Sequence, residues 1–462
     1  MREHSKRTAD AAAQQMLDRA AKDGVQTSWD RWDAMQPQCG FGKAGVCCKV
    51  CNMGPCRIDP FGNGPQNGVC GADANTIAAR NLVRMIAAGT SAHGDHGRDV
   101  AHTMLLAATG GAADYSVKDQ EKLFSLAAEY GVQTAGKDVR KVAEEVARIA
   151  QSEFGQQEGK LHFTKRAPEK RQKIWDELGV SPRGIDREVV QLMDITTMGV
   201  DNEYKSIITQ GVRTALANGW GGSMIATELS DVLFGSPMPV RAEVNLGILK
   251  KDEVNILVHG HEPHLSEMIV AATQDPEMIA YAKQKGANGI TLAGICCTAN
   301  EILMRHGISV AGNFLCQELA ILTGAVEAMV VDVQCIMPGL SEVTKCFHTK
   351  LVTTSPKAHF PGDVEHIEFD EEHALEAAKR IVRLAIDNYQ NRDKASVDIP
   401  SDKSGLIAGF TAENAYKFLG GRYRSTYRPL NNAIIEGRLR GLAGVVGCNN
   451  PNACQDLSHL EM

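Results

Sequence analysis

The stretch VNILVHG, residues 254–260, is a short run of branched apolar residues that ends on glycine. Three similar runs follow it along the chain: GITLAGI (289–295), AMVVDVQ (328–334) and LVTTS (351–355). Segments with helical periodicity, such as HLSEMIVAATQ and ANEILMRHG, lie between these runs. An alternation of short apolar strands with helices is typical of βαβ units, so the sequence predicts a parallel sheet.

On either side of this region the pattern changes, and we expect three domains. Residues 1–236 show mainly apolar spacing of three and four residues, which predicts a helical domain that also carries a loop rich in glycine and proline at 39–70. Residues 237–392 form the first predicted Rossmann-like α/β domain. Residues 393–462 start a second one, with a strand at 439–447, and this domain is incomplete at Met462. The predicted fold class is therefore mixed α and α/β, with an N-terminal helical domain followed by Rossmann-like parallel-sheet domains, the last one incomplete.

The composition narrows the classes of function. The chain has 462 residues, of which 43% are hydrophobic and 23% charged, as expected for a globular protein with several cores. Its formal net charge is −7 and it has no basic run, which argues against nucleic acid as a partner. No run of 18 apolar residues predicts a membrane span, and the N-terminal residues lack the apolar core of a signal peptide. We therefore expect a cytoplasmic protein.

Six of the thirteen cysteines fall within one short loop. Clustered cysteines in a long chain without a secretion signal more often bind metals than form disulfides. Four of them have compact spacing: Cys48, Cys51, Cys56 and Cys70. Such spacing can supply the four converging thiolates of a [4Fe–4S] cluster, although a structural zinc site also takes four cysteines.

Cys39 and Cys47 remain in the same loop. Cys47 adjoins Cys48, so their side chains diverge and would hardly serve one cluster together. Two ligands are too few for a cluster, but a two-fold dimer axis would double them to four. The residues alone leave two alternatives open, which are a cluster shared across a homodimer and a pair of free thiols or a disulfide.

Four predicted strands each end on a soft metal ligand. In chain order these ligands are His261, Cys297, Cys335 and Cys448. Because ligands of open α/β sheets bind beyond the carboxyl ends of the strands, we expect the four to share one site. One imidazole and three thiolates could hold zinc, or part of a larger nickel–iron–sulfur cluster. Cys296 adjoins one of these ligands and is either an alternate ligand or a packing residue.

A group of polar residues follows a three-residue spacing upstream: His93, His96, Asp99 and His102. On a helix they would line a drifting stripe that could pass protons from a buried site to water. The alternative is a polar helix face whose histidines have ordinary hydrogen-bond partners.

Taken in order, these segments resemble the catalytic subunit of the anaerobic Ni–Fe–S carbon monoxide dehydrogenases. The resemblance runs through almost the whole chain. It is carried by QCGFGKAGVCCKVCNMGPCRIDPFG, AAGTSAHGDHGRDVAHT, ELSDVLFGSP, VHGHEPHLSE, GICCTANE, DVQCIMPG and GVVGCNN. It implies an oxidoreductase that converts CO and water to CO2, two protons and two electrons, with a ferredoxin-type protein as the electron acceptor.

The resemblance also implies a role for each candidate residue. Cys48, Cys51, Cys56 and Cys70 match the ligands of an electron-relay [4Fe–4S] cluster in each chain, and Cys39 and Cys47 match the pair that shares a further cluster with the partner subunit of a homodimer. His261, Cys297, Cys335 and Cys448 match ligands of the Ni–Fe–S active cluster. His93 matches a histidine that handles protons beside the cluster.

Two departures from the family pattern affect these expectations. Asn218 stands where family members carry aspartate, and an amide cannot take up a proton as a carboxylate does. The family also continues past the equivalent of Met462 with two more ligand cysteines and a catalytic lysine, so little CO oxidation is expected of residues 1–462 alone. The alternatives are a non-catalytic iron–sulfur dimer, a hybrid-cluster hydroxylamine reductase relative, and the larger subunit of an archaeal decarbonylase, whose additional ferredoxin-like cysteine runs are absent here.

Overall fold

The computed structural model describes residues 7–362, 364–419 and 426–462. The chain divides into two compact units. The helical unit is Gln36–Leu233, and the sheet unit combines Met1–Met35 with Phe234–Met462. The helical unit is thus inserted between two parts of the sheet unit in the sequence.

The α-helices are, in chain order, α1 (Ala11–Asp23), α2 (Ser28–Ala34), α3 (Gly40–Lys43), α4 (Ala74–Thr109), α5 (Gln120–Tyr130), α6 (Val139–Gly155), α7 (Glu169–Glu177), α8 (Ile185–Ile195), α9 (Tyr204–Ala217), α10 (Ser223–Phe234), α11 (Pro263–Thr273), α12 (Pro276–Gln284), α13 (Cys296–His306), α14 (Cys316–Leu322), α15 (Leu340–Val343), α16 (Ala374–Asn388), α17 (Ala412–Leu419), α18 (Arg428–Ile435) and α19 (Leu457–Glu461). One π-helical turn, Asn218–Gly222, joins α9 to α10. Short 3-10 helices cover His162–Arg166, Leu246–Ile248, Thr344–Cys346, Glu371–His373 and Tyr389–Asn391.

The strands are β1 (Cys47–Cys48), β2 (Cys56–Arg57), β3 (Val240–Val244), β4 (Val254–Gly260), β5 (Ile290–Ile295), β6 (Ser309–Gly312), β7 (Val326–Val331), β8 (Lys350–Thr353), β9 (Glu365–His366) and β10 (Ser404–Ala408). The sheet unit arranges eight of them in the order β10-β3-β6-β5-β4-β7-β8-β9. Within the described residues, every neighbouring pair of this sheet is parallel except β10 with β3. The predicted fold class, mixed α and α/β with a mainly parallel sheet, is confirmed.

The central strand β4 is buried along its whole length, which explains why its sequence is continuously apolar. Its alternate side chains enter two different cores. Leu257 packs with residues of α1 and α14 on one face, and Ile256 and Val258 pack with residues of α11 and α16 on the other. Each such side chain contributes about 1.5–3 kcal/mol by its burial, so this strand fixes the sheet between two helical layers.

In the helical unit the longest element is α4, a helix of 36 residues. Asp73 caps its start by accepting a hydrogen bond from the backbone N–H of Thr76 at 2.8 Å, and Gly110 ends it in the left-handed conformation with a φ of 89°. Helices α6, α8 and α9 pack around it. Among the described residues, the structure has no helix that combines the length and the apolar character needed to span a membrane.

The C-terminal region differs from the sequence prediction in one respect. The strand expected at 439–447 is wrong, because residues 439–450 have no regular secondary structure and 437–448 are exposed. A strand needs a neighbour that completes its hydrogen bonds, and this glycine-containing stretch has none in the described structure. The strand expected in GLIAGF does form, as β10, but it pairs antiparallel with β3 in the sheet described above. The three-domain division stays a prediction.

Candidate functional site

The sheet order places a crevice beside β4. Strands β5 and β6 lie on one side of β4, and β7, β8 and β9 lie on the other, which is the strand order of a doubly wound fold. In such sheets ligands bind at the carboxyl ends of the strands where the order reverses. His261 directly follows β4, and Cys335 lies four residues beyond β7. Both predicted ligands therefore emerge at the position where the topology opens a site.

Three predicted thiol ligands lie within electrostatic reach of one another. Burial, and next the neighbouring Cys335 and Cys448 thiols, raise the pKa of Cys297 to about 11. Burial and the Cys448 thiol also raise the pKa of Cys335. Cys296 belongs to the same group, since burial and then Cys335 raise its pKa well above the usual range. A bridge between Gly260 and Cys296 brings the end of β4 next to the cysteines at the start of α13.

The backbone around these residues is strained. Cys296, Gln334 and Cys335 have φ values of 64°, 65° and 59°, in the left-handed region that residues with a side chain rarely adopt. Each such residue costs on the order of 1–3 kcal/mol and persists only where its surroundings hold it. Three such residues close together indicate that the surrounding structure holds these thiols in place at a cost in local stability.

One carboxylate fixes the loop that carries His261. Asp332, at the end of β7, accepts hydrogen bonds from the backbone N–H groups of His261 at 2.7 Å and Glu262 at 3.0 Å, and from that of Val333. Burial raises the pKa of Asp332 to about 7. Gly260 makes room for it, because a Cβ there would lie 1.6 Å from Asp332 Oδ1 and the φ of Gly260 is 141°.

A second clamp holds the Cys335 loop. Gln317 on α14 donates from its amide to the carbonyl oxygen of Cys335 at 3.1 Å and accepts from the backbone N–H of Met337 at 2.8 Å. The fully buried His259 contacts the same Gln317 oxygen at 3.2 Å. Burial lowers the pKa of His259 to about 4, so this imidazole is neutral and structural.

The four compactly spaced cysteines of the N-terminal loop line one small cavity in the helical unit: Cys48, Cys51, Cys56 and Cys70. The short hairpin β1–β2 pairs Cys48 with Cys56. Gly54 is required between them, because a Cβ there would lie 2.8 Å from the carbonyl oxygen of Cys48. The arrangement brings the predicted cluster ligands together, while the assignment of a cluster to them stays a prediction.

The other two cysteines of the loop lie nearer the surface. Cys39 is exposed and Cys47 is half-buried. Cys39 precedes α3, where the backbone N–H groups of Gly42 and Phe41 lower the pKa of its thiol. An exposed thiol with a lowered pKa at a helix start suits a metal site whose remaining ligands come from outside the chain.

His93 lies half-buried on α4 and faces the π-helical turn. Its Nδ1 is 3.1 Å from Asn218 Oδ1, which also accepts a hydrogen bond from the Ser223 hydroxyl at 3.2 Å. The π-helical turn can come this close to α4 because two glycines meet there. A Cβ on Gly222 would lie only 2.7 Å from the Cα of Gly94. Of the other stripe residues, His96 is buried and His102 is exposed.

The donor chemistry fits a metal–sulfur cluster. Thiolates and imidazole are soft ligands that suit nickel and iron–sulfur centres. Burial and neighbouring thiols raise the pKa of Cys297 and Cys335, and a bound cation would reverse that effect by favouring the thiolates. Among the described residues, no three histidine, cysteine, aspartate or glutamate side chains are close enough together to hold a single metal ion.

Three residues that hold the site in place are not predicted from the sequence: Asp332, Gly260 and Gln317. Asp332 ends an apolar strand, and a carboxylate at the end of a buried strand is a signal that could have been used. Gly260 and Asp332 are far apart in sequence, and their contact arises only from the pairing of β4 with β7.

Comparison with known proteins gives consistent matches. A model of the Prismane/CO dehydrogenase family matches residues 46–462. The chain is 54% identical over 456 residues to carbon monoxide dehydrogenase 1 of Methanosarcina mazei, covering 99% of this chain and 72% of that protein. It is 48% identical to carbon monoxide dehydrogenase 1 of Carboxydothermus hydrogenoformans, covering 98% of this chain and 72% of that protein. A nickel-free crystal structure of carbon monoxide dehydrogenase from Thermococcus sp. AM4 has a TM-score of 0.95 and 51% identity, over 98% of this chain and 71% of that chain.

Proposed function

The chain belongs to the Prismane/CO dehydrogenase family, and from this membership we propose that it oxidises CO with water to CO2, two protons and two electrons at a Ni–Fe–S cluster. The relatives that it matches over nearly all its length are carbon monoxide dehydrogenases. The observation that carries the proposal is the grouping of the Cys335 and Cys448 thiols near Cys297, whose pKa they raise, beside the crevice of the sheet.

We assign the cluster to four ligands: His261, Cys297, Cys335 and Cys448. When bound, the cluster supplies the redox-active metals that take up the two electrons of CO oxidation. Assembly must deprotonate thiols whose pKa lies well above neutrality, so cluster loading releases protons. Asp332 and Gln317 orient the His261 and Cys335 loops before the metals arrive, which lowers the cost of binding.

His93 is assigned to proton handling. A hydrogen bond to the side-chain oxygen Oδ1 of Asn218 requires a proton on Nδ1, which leaves proton exchange to Nε2. The π-helical turn that presents Asn218 is a type of distortion frequent at functional sites. An amide at position 218 orients the ring without competing for the proton.

The electrons leave through iron–sulfur clusters in the helical unit. Cys48, Cys51, Cys56 and Cys70 would hold a relay [4Fe–4S] cluster, and they already line a common cavity. A further cluster would be shared with a second copy through Cys39 and Cys47, and a ferredoxin-type protein would accept the electrons.

Exposed apolar side chains support the homodimer. Helices α4, α8 and α9, which pack on one another, expose Met85 by 66%, Val190 by 64% and Val212 by 44%. Monomeric proteins rarely expose large contiguous apolar patches, and exposed apolar side chains on helices that pack on one another are candidates for such a patch. A second copy on these helices would cover them.

The test is an assay of CO-dependent reduction of a viologen dye. The protein is produced from its natural gene under anaerobic conditions, with nickel, iron and sulfide supplied. We expect turnover in the wild type and a loss of at least about tenfold in both turnover and nickel content in Cys335→Ser. Cys346→Ser is the matched control, because Cys346 is also exposed in the sheet unit but lies outside the ligand set.

Nickel content and turnover that are the same in Cys335→Ser and Cys346→Ser would refute the ligand assignment. A wild type that assembles its relay cluster but gives no CO-dependent reduction would refute the catalytic proposal. That result would favour a non-catalytic iron–sulfur dimer.

A further inference from the structure

The loop that carries Cys448 has no regular structure of its own. Residues 437–448 are all exposed and 439–450 form neither helix nor strand. The turn that follows Cys448 is nevertheless hydrogen-bonded to Asn313 and Cys316 at the start of α14, the helix whose Gln317 donates to the carbonyl oxygen of Cys335 at 3.1 Å. Something outside the loop must therefore set its position. The next residue, Asn449, is half-buried.

Asn449 makes a reciprocal pair of hydrogen bonds with Asp456. Its amide nitrogen donates to Asp456 Oδ1 at 2.6 Å, and its amide oxygen accepts from the backbone N–H of Asp456 at 2.8 Å. The pair closes the turn from 449 to 456. Asp456 has a φ of 63°, so the turn is held in a conformation that an aspartate adopts at some cost.

A second layer attaches this turn to the body of the sheet unit. Asn313, which precedes α14, donates from its amide to Asp456 at 3.2 Å and accepts from the Gln455 amide at 3.3 Å. The fully buried Gln455 also donates to the Cys316 sulfur at 3.4 Å. On its backbone, Gln455 accepts from Ala9 at 2.8 Å and donates to the carbonyl oxygen of Arg7 at 3.0 Å.

We infer that Asn449, Gln455 and Asp456, with Asn313 beneath them, are positioning residues that hold the Cys448 thiol beside Cys335. These side chains act through the backbone of the Cys448 loop and touch no reacting atom. The inference rests on the proposed function only in naming Cys448 as a cluster ligand, because the position of its thiol can be measured without any metal.

The primary measurement is the rate at which diamide forms a disulfide between Cys335 and Cys448 in the metal-free full-length protein, read from cross-linked peptides by mass spectrometry. Two thiols held close together react through a high effective concentration, which falls when one loop is released. We expect the rate to fall about tenfold in Asp456→Ala and in Asn449→Asp, the latter because two carboxylates would then oppose each other. Asp370→Ala is the control, since Asp370 also accepts a backbone N–H in an exposed turn of the sheet unit.

The double variant Asn449→Asp/Asp456→Asn exchanges the carboxylate and the amide and so restores a complementary pair. It should recover most of the wild-type disulfide rate, which a general loss of folding would not allow. A rate unchanged in both single variants would overturn the inference, and so would a double variant that is as slow as the singles.

Nickel content of the loaded protein separates the two hypotheses. A disulfide rate that falls together with nickel content supports both the positioning role and Cys448 as a ligand. A rate that falls while nickel content stays at the wild-type level supports the positioning role and removes Cys448 from the ligand set.

Discussion

At the scale of single residues, Glu153 is a carboxyl group outside the candidate metal site whose burial changes its ionisation. It lies on α6 with 3% of its surface exposed, and one oxygen accepts a hydrogen bond from the backbone N–H of His162 at 2.8 Å. The Tyr130 hydroxyl is buried beside this carboxyl group. Burial raises the pKa of Glu153 to about 7.

This shift predicts a loss of stability on the alkaline side. Between the ordinary glutamate pKa near 4.5 and the folded value of about 7, the folded protein keeps a proton that the unfolded chain has released. The free energy of unfolding therefore falls as the pH rises through that window, by about 3 kcal/mol. Glu153→Gln, which cannot ionise, should abolish this part of the pH dependence.

The measurement is the amide hydrogen-exchange protection of α6 at pH 5.5 and pH 8, corrected for intrinsic exchange rates. Glu144→Gln on the same helix is the control. Hydrogen bonds from Lys141 and Arg148 lower the pKa of the half-buried Glu144, so its contribution is already complete above pH 4.5. The same pH dependence in wild type and Glu153→Gln would show that Glu153 is not the responsible group.

At the scale of elements, the approach of the π-helical turn to α4 depends on glycine. In the turn Asn218–Gly222, a Cβ on Gly222 would lie 2.7 Å from the Cα of Gly94, whereas a Cβ on Gly219 would have nothing within 4 Å. Gly222→Ala should therefore push the turn away from α4, lengthen the His93–Asn218 contact and destabilise the helical unit by about 2–3 kcal/mol. Gly219→Ala, in the same turn, should be neutral or slightly stabilising.

Thermal unfolding and the rate of CO oxidation test this pair of variants. We expect a lower melting temperature and a lower turnover in Gly222→Ala alone. Equal melting temperatures in the two variants would mean that the backbone of α4 yields to the added methyl group.

The elements that the sequence predicts well are those whose burial is uniform. Strand β4 is buried on both faces, so its apolar run is readable without knowledge of its neighbours. The stretch 439–447 has a similar apolar composition, but whether it forms a strand depends on the presence of a partner strand. The local sequence does not carry that information. For the same reason the cysteines could be predicted as site residues, while Gln317 and Asn449, which act through hydrogen bonds to other loops, could not.

At the scale of the whole molecule, iron stoichiometry tests the assignment of the N-terminal cysteines. Cys39→Ser/Cys47→Ser should remove one [4Fe–4S] cluster per dimer, about four irons, because each chain supplies half of the ligands. Cys51→Ser/Cys56→Ser should remove one cluster per chain, about eight irons per dimer. The number of irons lost thus separates a shared cluster from a cluster in each chain.

The measurements are iron content per protein and dimer mass by light scattering. Equal iron loss in the two double variants would contradict the shared cluster. A stable dimer with full iron in Cys39→Ser/Cys47→Ser would show that these two thiols bind no cluster.

The insertion of the helical unit into the sheet unit also has a consequence for biosynthesis. Helix α1 packs against α14 in one core of the sheet, but about 300 residues separate the two in sequence. At about 5–20 residues per second, a ribosome needs on the order of 15–60 s to deliver α14 after α1 has emerged. For most of that interval, only Val25 and Trp29 of the other residues in its own core have been synthesised, so the apolar face of α1, including Met16 and Leu17, is largely uncovered. Nascent chains of this protein should therefore engage chaperones early, while the inserted helical unit is still being synthesised.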